Sequence, residues 1–561
     1  MIRLHNLRRI DPQLPETEGA QTDPGADIWL DQGRIVAAPP APEGVESLDL
    51  GGKIVMAGAI DIHSHIAGGK MNIGRQLMTA DRNLGKSRGL GRLRSGNGYA
   101  TPVASTTAYR YLAMGYTMAF EPAMVGVNSR GCHREMADIP LLDRGAYIML
   151  GNDDFLLRLL HAKADQGKIN DYVAWMITRT RAMGVKIVNP GGISAFKFNR
   201  RNLGLETPCP WYDSVTPRQI VYSLCRAVYE LGVSFPLHLH CNDLGIPGNV
   251  TTTLETIKAA EGYPLHLTHL QFHSYGAEGK RQFSSAAAAI AEAVNNSPNV
   301  TVDVGQIAFG QTITASGDTM IQSINSAHAD PKRFVCMDIE CDGGCGVVPF
   351  RYRDQNFVNA LQWAIGLELF LLIRDPWRIF LTTDHPNGAP FTVYPNLIRL
   401  LMEPDYRRHC LAQIHPAAQK ASLLGSLDRA YSLEEIAILT RAGPAKILGL
   451  GDYGSLKVGS VADLVVYEER ANIEAFFAAP HLVMRRGVTV ARGGAIIEDP
   501  SLPEGVTHWV APDYDRAIEA EIKDFFDNYM AIDYHNYGVE EGRLYGKPID
   551  FMRHSPGRRL A

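Results

Sequence analysis

The stretch GAIDIHSHIAGGK, residues 58–70, leads an apolar segment into two histidines, His63 and His65, with one residue between them. Side chains two apart on an extended strand leave from the same face, so both imidazoles can reach one metal ion. The pattern repeats downstream. FPLHLHCND, residues 235–243, carries His238 and His240, and LHLTHL, residues 265–270, brings His269 to the end of the next apolar run. FLTTDHPNG, residues 380–388, does the same with Asp384 and the adjacent His385. An ionised carboxylate in that place can bind a metal or take a proton from a nucleophilic water, since both roles need an oxygen acceptor. Each feature alone also fits an ordinary hydrogen-bonded histidine or, for Asp384, an Asx turn into Pro386, Asn387 and Gly388. Their recurrence at successive strand ends favours chemistry.

Around these motifs, strand-like runs alternate with helix-like ones. The strand-like runs are YTMAFEP (116–122), GVKIVNP (184–190), FPLHLHC (235–241), YPLHLTHL (263–270), VTVDVG (300–305), RFVCMDI (333–339) and RIFLTTD (378–384). The helix-like segments are 155–167, 217–231, 253–261, 283–295 and 356–373. This is the βα rhythm of a parallel sheet, and polar residues gathered at strand ends are what a (β/α) barrel presents at its active face.

The flanks read differently. ADIWLDQGRIVAAPP (26–40) alternates about a turn at Asp31, Gln32 and Gly33, which predicts a hairpin, and SLDLGGKIVMAG (47–58) follows it. Similar β-rich punctuation returns in LKVGSVADLVVYEE (456–469) and HLVMRRGVTVARGGAIIED (481–499), and the two sets could pair into one small sandwich. The expected division is a first sandwich part over 1–60, a barrel over 61–440 with a basic insertion at 72–100, a second sandwich part over 441–500 and an extension over 501–561.

With 561 residues, 45% of them hydrophobic and 20% charged, the chain can bury a large core. Its net charge of -5 gives no global attraction to nucleic acid or to an anionic membrane. No apolar run approaches the roughly 20 residues that cross a bilayer, and the first residues hold no hydrophobic signal core, so a cytoplasmic location is expected. None of the eight cysteines falls in an iron–sulfur run. The one close pair, Cys341 and Cys345, reads either as a metal or redox site or as buried thiols about a Gly-rich loop.

Lys186, inside GVKIVNPGG, has the least polar setting of any lysine. An uncompensated ammonium there is costly, so the residue should be neutralised, paired or modified. Carboxylation would turn it into an anionic ligand able to bridge two metals; pairing with a carboxylate such as Glu121 is the other reading.

The segments DIHSHIAGGKMN, EPAMVG, GVKIVNPGG, PLHLHCNDLGIPGN, HLTHLQFHSYG, QIAFGQTITASGD and TTDHPNG resemble the formylmethanofuran dehydrogenase A-subunit family of the amidohydrolase superfamily. In lacking iron–sulfur features the chain is more similar to the bacterial formyltransferase/hydrolase members. The resemblance implies an amidohydrolase-type (β/α)8 barrel with a small β-sandwich. It further implies two zinc ions: one at His63, His65 and Asp384, the other at His240 and His269, bridged by carboxylated Lys186. Asp384 would be the catalytic base. His238, Asn242 and His385 would stand behind the ligands, with His238 an alternative ligand.

The implied reaction is reversible hydrolysis of N-formylmethanofuran to formate and methanofuran, with methanofuran or an analogue as one-carbon carrier and other complex subunits as partners. Arg75, Arg82, Lys86, Arg88, Arg92 and Arg94, opposed in their stretch only by Asp81, read as a clamp for an acidic substrate tail, as a contact to a neighbouring subunit or as a solvated loop, with glycines making a regular helix unexpected. Three other readings share some of these features. They are a hydantoinase-like or dihydroorotase-like ring opener, the formylmethanofuran-forming component of an archaeal-type dehydrogenase, and a non-catalytic structural component. After residue 500, Trp509, Tyr514, Phe525, Phe526, Tyr529, Tyr534, Tyr537 and Tyr545 lie among charges, which suits a partner surface or packing back on the barrel.

Overall fold

A computed structural model describes residues 1–14, 27–40, 44–78, 104–193, 195, 204–337, 345–497, 499, 501–540, 544 and 548–557. Eight strands of a ten-stranded parallel sheet follow one another around its centre: β1 (Ala59–Asp61), β2 (Tyr116–Met124), β3 (Asp143–Leu150), β4 (Gly184–Val188), β5 (Leu237–His240), β6 (Leu265–Leu267), β7 (Val300–Asp303) and β8 (Ile379–Phe380). Each pairs with the next in chain order. A parallel bridge between Ser64 and His385, with His65 N–H donating to the His385 carbonyl at 2.8 Å, brings the ends of β1 and β8 together, so the sheet curls into a barrel.

The interior is packed rather than hollow. Ile60, Met118, Phe120, Tyr147, Phe235 and Phe380 fill the lower part, with Leu448, Leu450 and Tyr453 packed against them. The helices cover the outside as their patterning predicts. Helix Pro217–Glu230 begins with a Thr216/Gln219 capping box and a proline at its start, and helix Phe357–Leu372 is apolar nearly all round because it is buried between barrel and outer layer.

The chain ends meet as expected. The hairpin Ile28–Asp31/Arg34–Val36 turns through Gln32 and Gly33, both at positive φ, and strand Glu46–Ala57 pairs antiparallel with Leu464–Tyr467. These join an eight-stranded sheet. Its edge strand Arg34–Val36 returns to hydrogen-bond residues 459–462, enclosing a separate core that includes Leu4, Leu30, Val55, Leu464 and Met484.

Three elements depart from the sequence expectation. DRGAYIML supplies β3, a strand the patterning does not single out. RFVCMDI is not a barrel strand: Val335–Met337 pairs antiparallel with Cys345–Tyr352, which pairs with Gly310–Ser316, forming a flap between β7 and β8. The glycine-containing run expected to resist helix formation begins as helix Gly69–Leu77, whose Met71 packs on the flap residues Ile313 and Val347.

The tail packs back on the barrel. Strand Thr507–Val510 lies parallel to β3 with Phe551–His554 beside it, and Phe526, Tyr534 and Tyr537 gather around Trp175. Trp509 is flanked by Arg181 and Arg553; Tyr529 is exposed. Among the described residues no helix is long and apolar enough to cross a membrane.

Candidate metal centre

The loop leaving β1 carries His63 and His65 into the barrel mouth, where they meet Asp384 from the end of β8. Asp384 Oδ1 lies 2.8 Å from His63 Nε2 and 3.3 Å from His65 Nε2. Behind them stands Glu121 of β2, fully buried. Its Oε1 is 3.0 Å from His65 Nδ1, and its Oε2 accepts the Ile66 and Ala67 N–H groups at 2.8 and 3.1 Å. Burial opposes ionisation of Glu121, yet the neighbouring His65 and these donors hold its pKa at about 2. A carboxylate accepting from one ring nitrogen fixes which nitrogen is left to face a metal.

Across the mouth, His240 at the end of β5, His269 after β6 and His273 four residues on form a second group. Their ligand atoms lie within 4.8 Å of one another, as do those of His63, His65 and Asp384. Lys186 of β4 lies within electrostatic reach of both groups, is 2% exposed, and its Nζ has no hydrogen-bond partner among the described residues. Glu121 is committed to His65 and backbone, so the expected alternative of a Lys186–Glu121 pair is not formed.

Burial lowers the Lys186 pKa to about 7 against the pull of Asp384 and Asp303. It also keeps His63, His240 and His269 neutral. Burial works against ionising Asp384, but the adjacent His269 and His63 keep it well below the usual carboxylate range. Neutral imidazole and ionised carboxylate are the forms in which these side chains ligate metals. With His240 Nε2 and His269 Nδ1 also buried and unpartnered, the donor set fits a two-metal centre.

Asp303, at the end of β7, organises the layer beneath, a role the sequence patterning does not single out. It accepts from His269 N at 3.0 Å and Thr382 Oγ1 at 2.6 Å through Oδ1, and its Oδ2 is 3.0 Å from His266 Nε2. Burial works to raise its pKa, but His63 and His266 hold it at about 2. His238 lies in this layer, its Nε2 2.7 Å from His63 Nδ1 and its ring stacked on His266. It also falls in a group with His63 and Asp303, so it stands both behind His63 and within ligand reach.

The backbone is strained here. His269 and Asp384 adopt φ of 37° and 49°, conformations costly for non-glycine residues. Gly305 lies between them at φ 64°, where a Cβ would come within 2.4 Å of the His269 Cβ. The only signals for the roles of Glu121, Asp303 and His273 are an acidic residue inside YTMAFEP, another inside VTVDVG, and the spacing His269-x-x-x-His273.

The remaining expected residues are scattered. Asn242 donates to Asn189 Oδ1 and the Pro190 carbonyl, holding the turn after β4. His385 accepts the Phe391 N–H at 3.3 Å. Arg75 is not a free clamp: it is 5% exposed and bonded to Glu135 and the Ile66 carbonyl, because the helix it sits on packs inward. Arg82, Lys86, Arg88, Arg92, Arg94 and Cys341 lie outside the described residues; Cys345 is a buried thiol.

A barrel with buried histidines, a lysine and an aspartate converging at its mouth defines the class, and residues 46–497 match the amidohydrolase family, to which the chain belongs. More particular likenesses follow. The chain is 42% identical over 503 residues to the Fhc A-subunit of the formyltransferase/hydrolase complex of Methylorubrum extorquens, covering 89% of each. It is 36% identical over 540 residues to protein FwdA of Methanocaldococcus jannaschii, covering 92% of this chain and 93% of that one. The crystal structure of the M. extorquens FhcABCD complex with methylofuran contains a chain that superposes with a TM-score of 0.89 at 38% identity, covering 99% of this chain and 100% of that one.

Proposed function

We propose that this chain hydrolyses the formamide of an N-formylmethanofuran-type carrier to formate and the free amine, reversibly, as the hydrolytic component of a formyltransferase/hydrolase complex. The observation that carries this reading is the meeting of two donor groups about the unpartnered Lys186 Nζ. His63, His65 and Asp384 would hold one zinc ion, His240 and His269 another, with a carbamate on Lys186 bridging them. When bound, such ions supply the Lewis acidity that acidifies a water and polarises a carbonyl.

The chain's own residues do the rest. Asp384 accepts the proton of the attacking water and returns it to the amine nitrogen as the C–N bond breaks, so hydrolysis needs no redox partner. Glu121 keeps His65 in the tautomer that presents Nε2, and Asp303 holds the turn bearing His269. Burial lowers the Lys186 pKa to about 7, which makes available near neutral pH the neutral amine that combines with carbon dioxide. Likeness to a named component of such a complex over nearly the whole chain supports both substrate class and assembly.

The test uses the chain purified from its own cells, without chelator, together with the subunits that accompany it. About two zinc ions per chain are expected, with formate released from N-formylmethanofuran. Trace metal alone, or a metal-loaded complex that releases no formate, overturns the reading.

A further inference from the structure

His273 is the buried group that the proposed ligand set leaves unused. It is fully buried, and among the described residues it is the only histidine with both ring nitrogens buried and unpartnered. A buried polar atom without a partner costs free energy, so such a site in a well-packed fold points to a missing ligand.

The backbone around it is pinned from several sides. Thr253 Oγ1 donates to the His273 carbonyl at 2.8 Å, and Asn249 Nδ2 and Gly245 N both donate to the Phe272 carbonyl, at 2.8 and 3.0 Å. Asn249 Oδ1 also accepts the Tyr275 N–H at 2.9 Å. The NDLGIPGN loop after β5 therefore holds the turn that presents His273, while the imidazole itself stays free. His273 follows His269 by four residues on a 3-10 turn, so the two rings lie nearly parallel with centroids 5.3 Å apart. His240 crosses both steeply, at 86° to His269 and 69° to His273. Nitrogens on a tetrahedral zinc ion stand about 3.4 Å apart, given Zn–N bonds of about 2.1 Å. A spread within 4.8 Å is thus near what three ligands need.

We propose that His273 is a third protein nitrogen donor to the second metal position, alongside His240 and His269. This inference rests on the metal-centre reading above and goes beyond it. Three imidazoles give that position a full protein face of its own, so its ion is retained even when Lys186 carries no carbamate. The first position likewise has three protein donors, two imidazoles and Asp384, so His273 makes the two positions equal in number of protein ligands.

The test is zinc stoichiometry and affinity by competition with a chromophoric chelator, with X-ray absorption counting histidine ligands, on the intact complex. In the His273→Ala and His273→Gln proteins one ion should be held as in wild type. The other should weaken by about a hundredfold or more, the upper end of what losing even an outer-sphere partner costs. The Lys186→Gln protein should still retain the ion at the three-histidine position. His133→Ala controls for removing a buried histidine elsewhere, and should keep both ions. Unchanged binding of two ions in both His273 proteins overturns the inference and leaves the metal-centre reading standing. A wild-type protein that binds no zinc overturns both.

Discussion

The two ends of the barrel bury charge in opposite ways. At the floor, Asp143 at the start of β3 meets Arg485 at 2.7 Å and Arg486 at 3.4 Å, and accepts the Val506 N–H at 2.8 Å. Arg485 turns its Nε to Asp463 at 3.0 Å. This network joins barrel, flanking sheet and tail, and every charge in it faces an opposite one. At the mouth, Lys186, His240, His269 and His273 are as deeply buried, yet each presents an unpartnered nitrogen. One chain thus pairs its buried charges by sign at the floor, even where Arg485 Nε and Asp463 Oδ2 are not aligned as a hydrogen bond, and leaves the Lys186 amine and three imidazoles without such partners at the mouth. The paired network and the unpartnered nitrogens are separated by the length of the strands.

If that division holds, the two ends respond differently to loss of one charge. The largest effect should follow Asp143→Ala, which leaves buried Arg485 with Asp463 as its remaining carboxylate and takes the acceptor from the Val506 N–H, and should cost about 3–5 kcal/mol of stability. Denaturant unfolding measures it. A loss below about 1 kcal/mol, in the range of surface ion pairs, would mean the floor is not the structural end.

The next effect should be on rate. Asp384→Asn keeps the volume and removes the ionised acceptor, so turnover should fall by about a hundredfold or more, while the unfolding midpoint stays near wild type. Full activity, or a protein that fails to fold, would erase the distinction between the ends.

Much of this division was legible in the sequence because strand-end polar residues break an apolar run visibly. His63, His65, His240, His269 and Asp384 all did so, and the hairpin at Gln32-Gly33 carried its own turn chemistry. Burial hid the remainder. β3 is wholly buried and bears no polar residue at its mouth end, so its period distinguishes it from nothing. RFVCMDI has strand composition, but composition does not say which sheet a strand joins; the flap took it. Glu121 and Asp303 act through histidines far away in the chain, and His273 sits within a turn, where neither strand period nor strand end applies. The tail's aromatics suited two surfaces, and the positions of Trp175 and β3 show Phe526, Tyr534 and Tyr537 packing inward while Tyr529 stays exposed; Tyr545 lies outside the described residues.

The effect that is smallest per unit of change sharpens the comparison at its hinge, Lys186. In metal-free protein held in carbon dioxide-free buffer, the amine is unmodified and its pKa is depressed by burial from 10.5 to about 7. Between those values the folded chain binds fewer protons than the unfolded one. Unfolding therefore takes up a proton, and the lysine's contribution to stability rises with pH by up to about 1.4 kcal/mol per unit. Below about pH 7 the folded state must carry the buried ammonium, and the penalty is complete. Lys186→Met removes the group at similar volume, so the stability difference between mutant and wild type should be greatest at or below about pH 7 and shrink toward pH 10. Taking the difference cancels the buried thiols and phenols that titrate in the same range, since both proteins share them. Added zinc and bicarbonate should abolish the wild-type slope by drawing the amine into the centre. Parallel curves for the two proteins would place a hidden partner on Lys186 and make the mouth as fully paired as the floor.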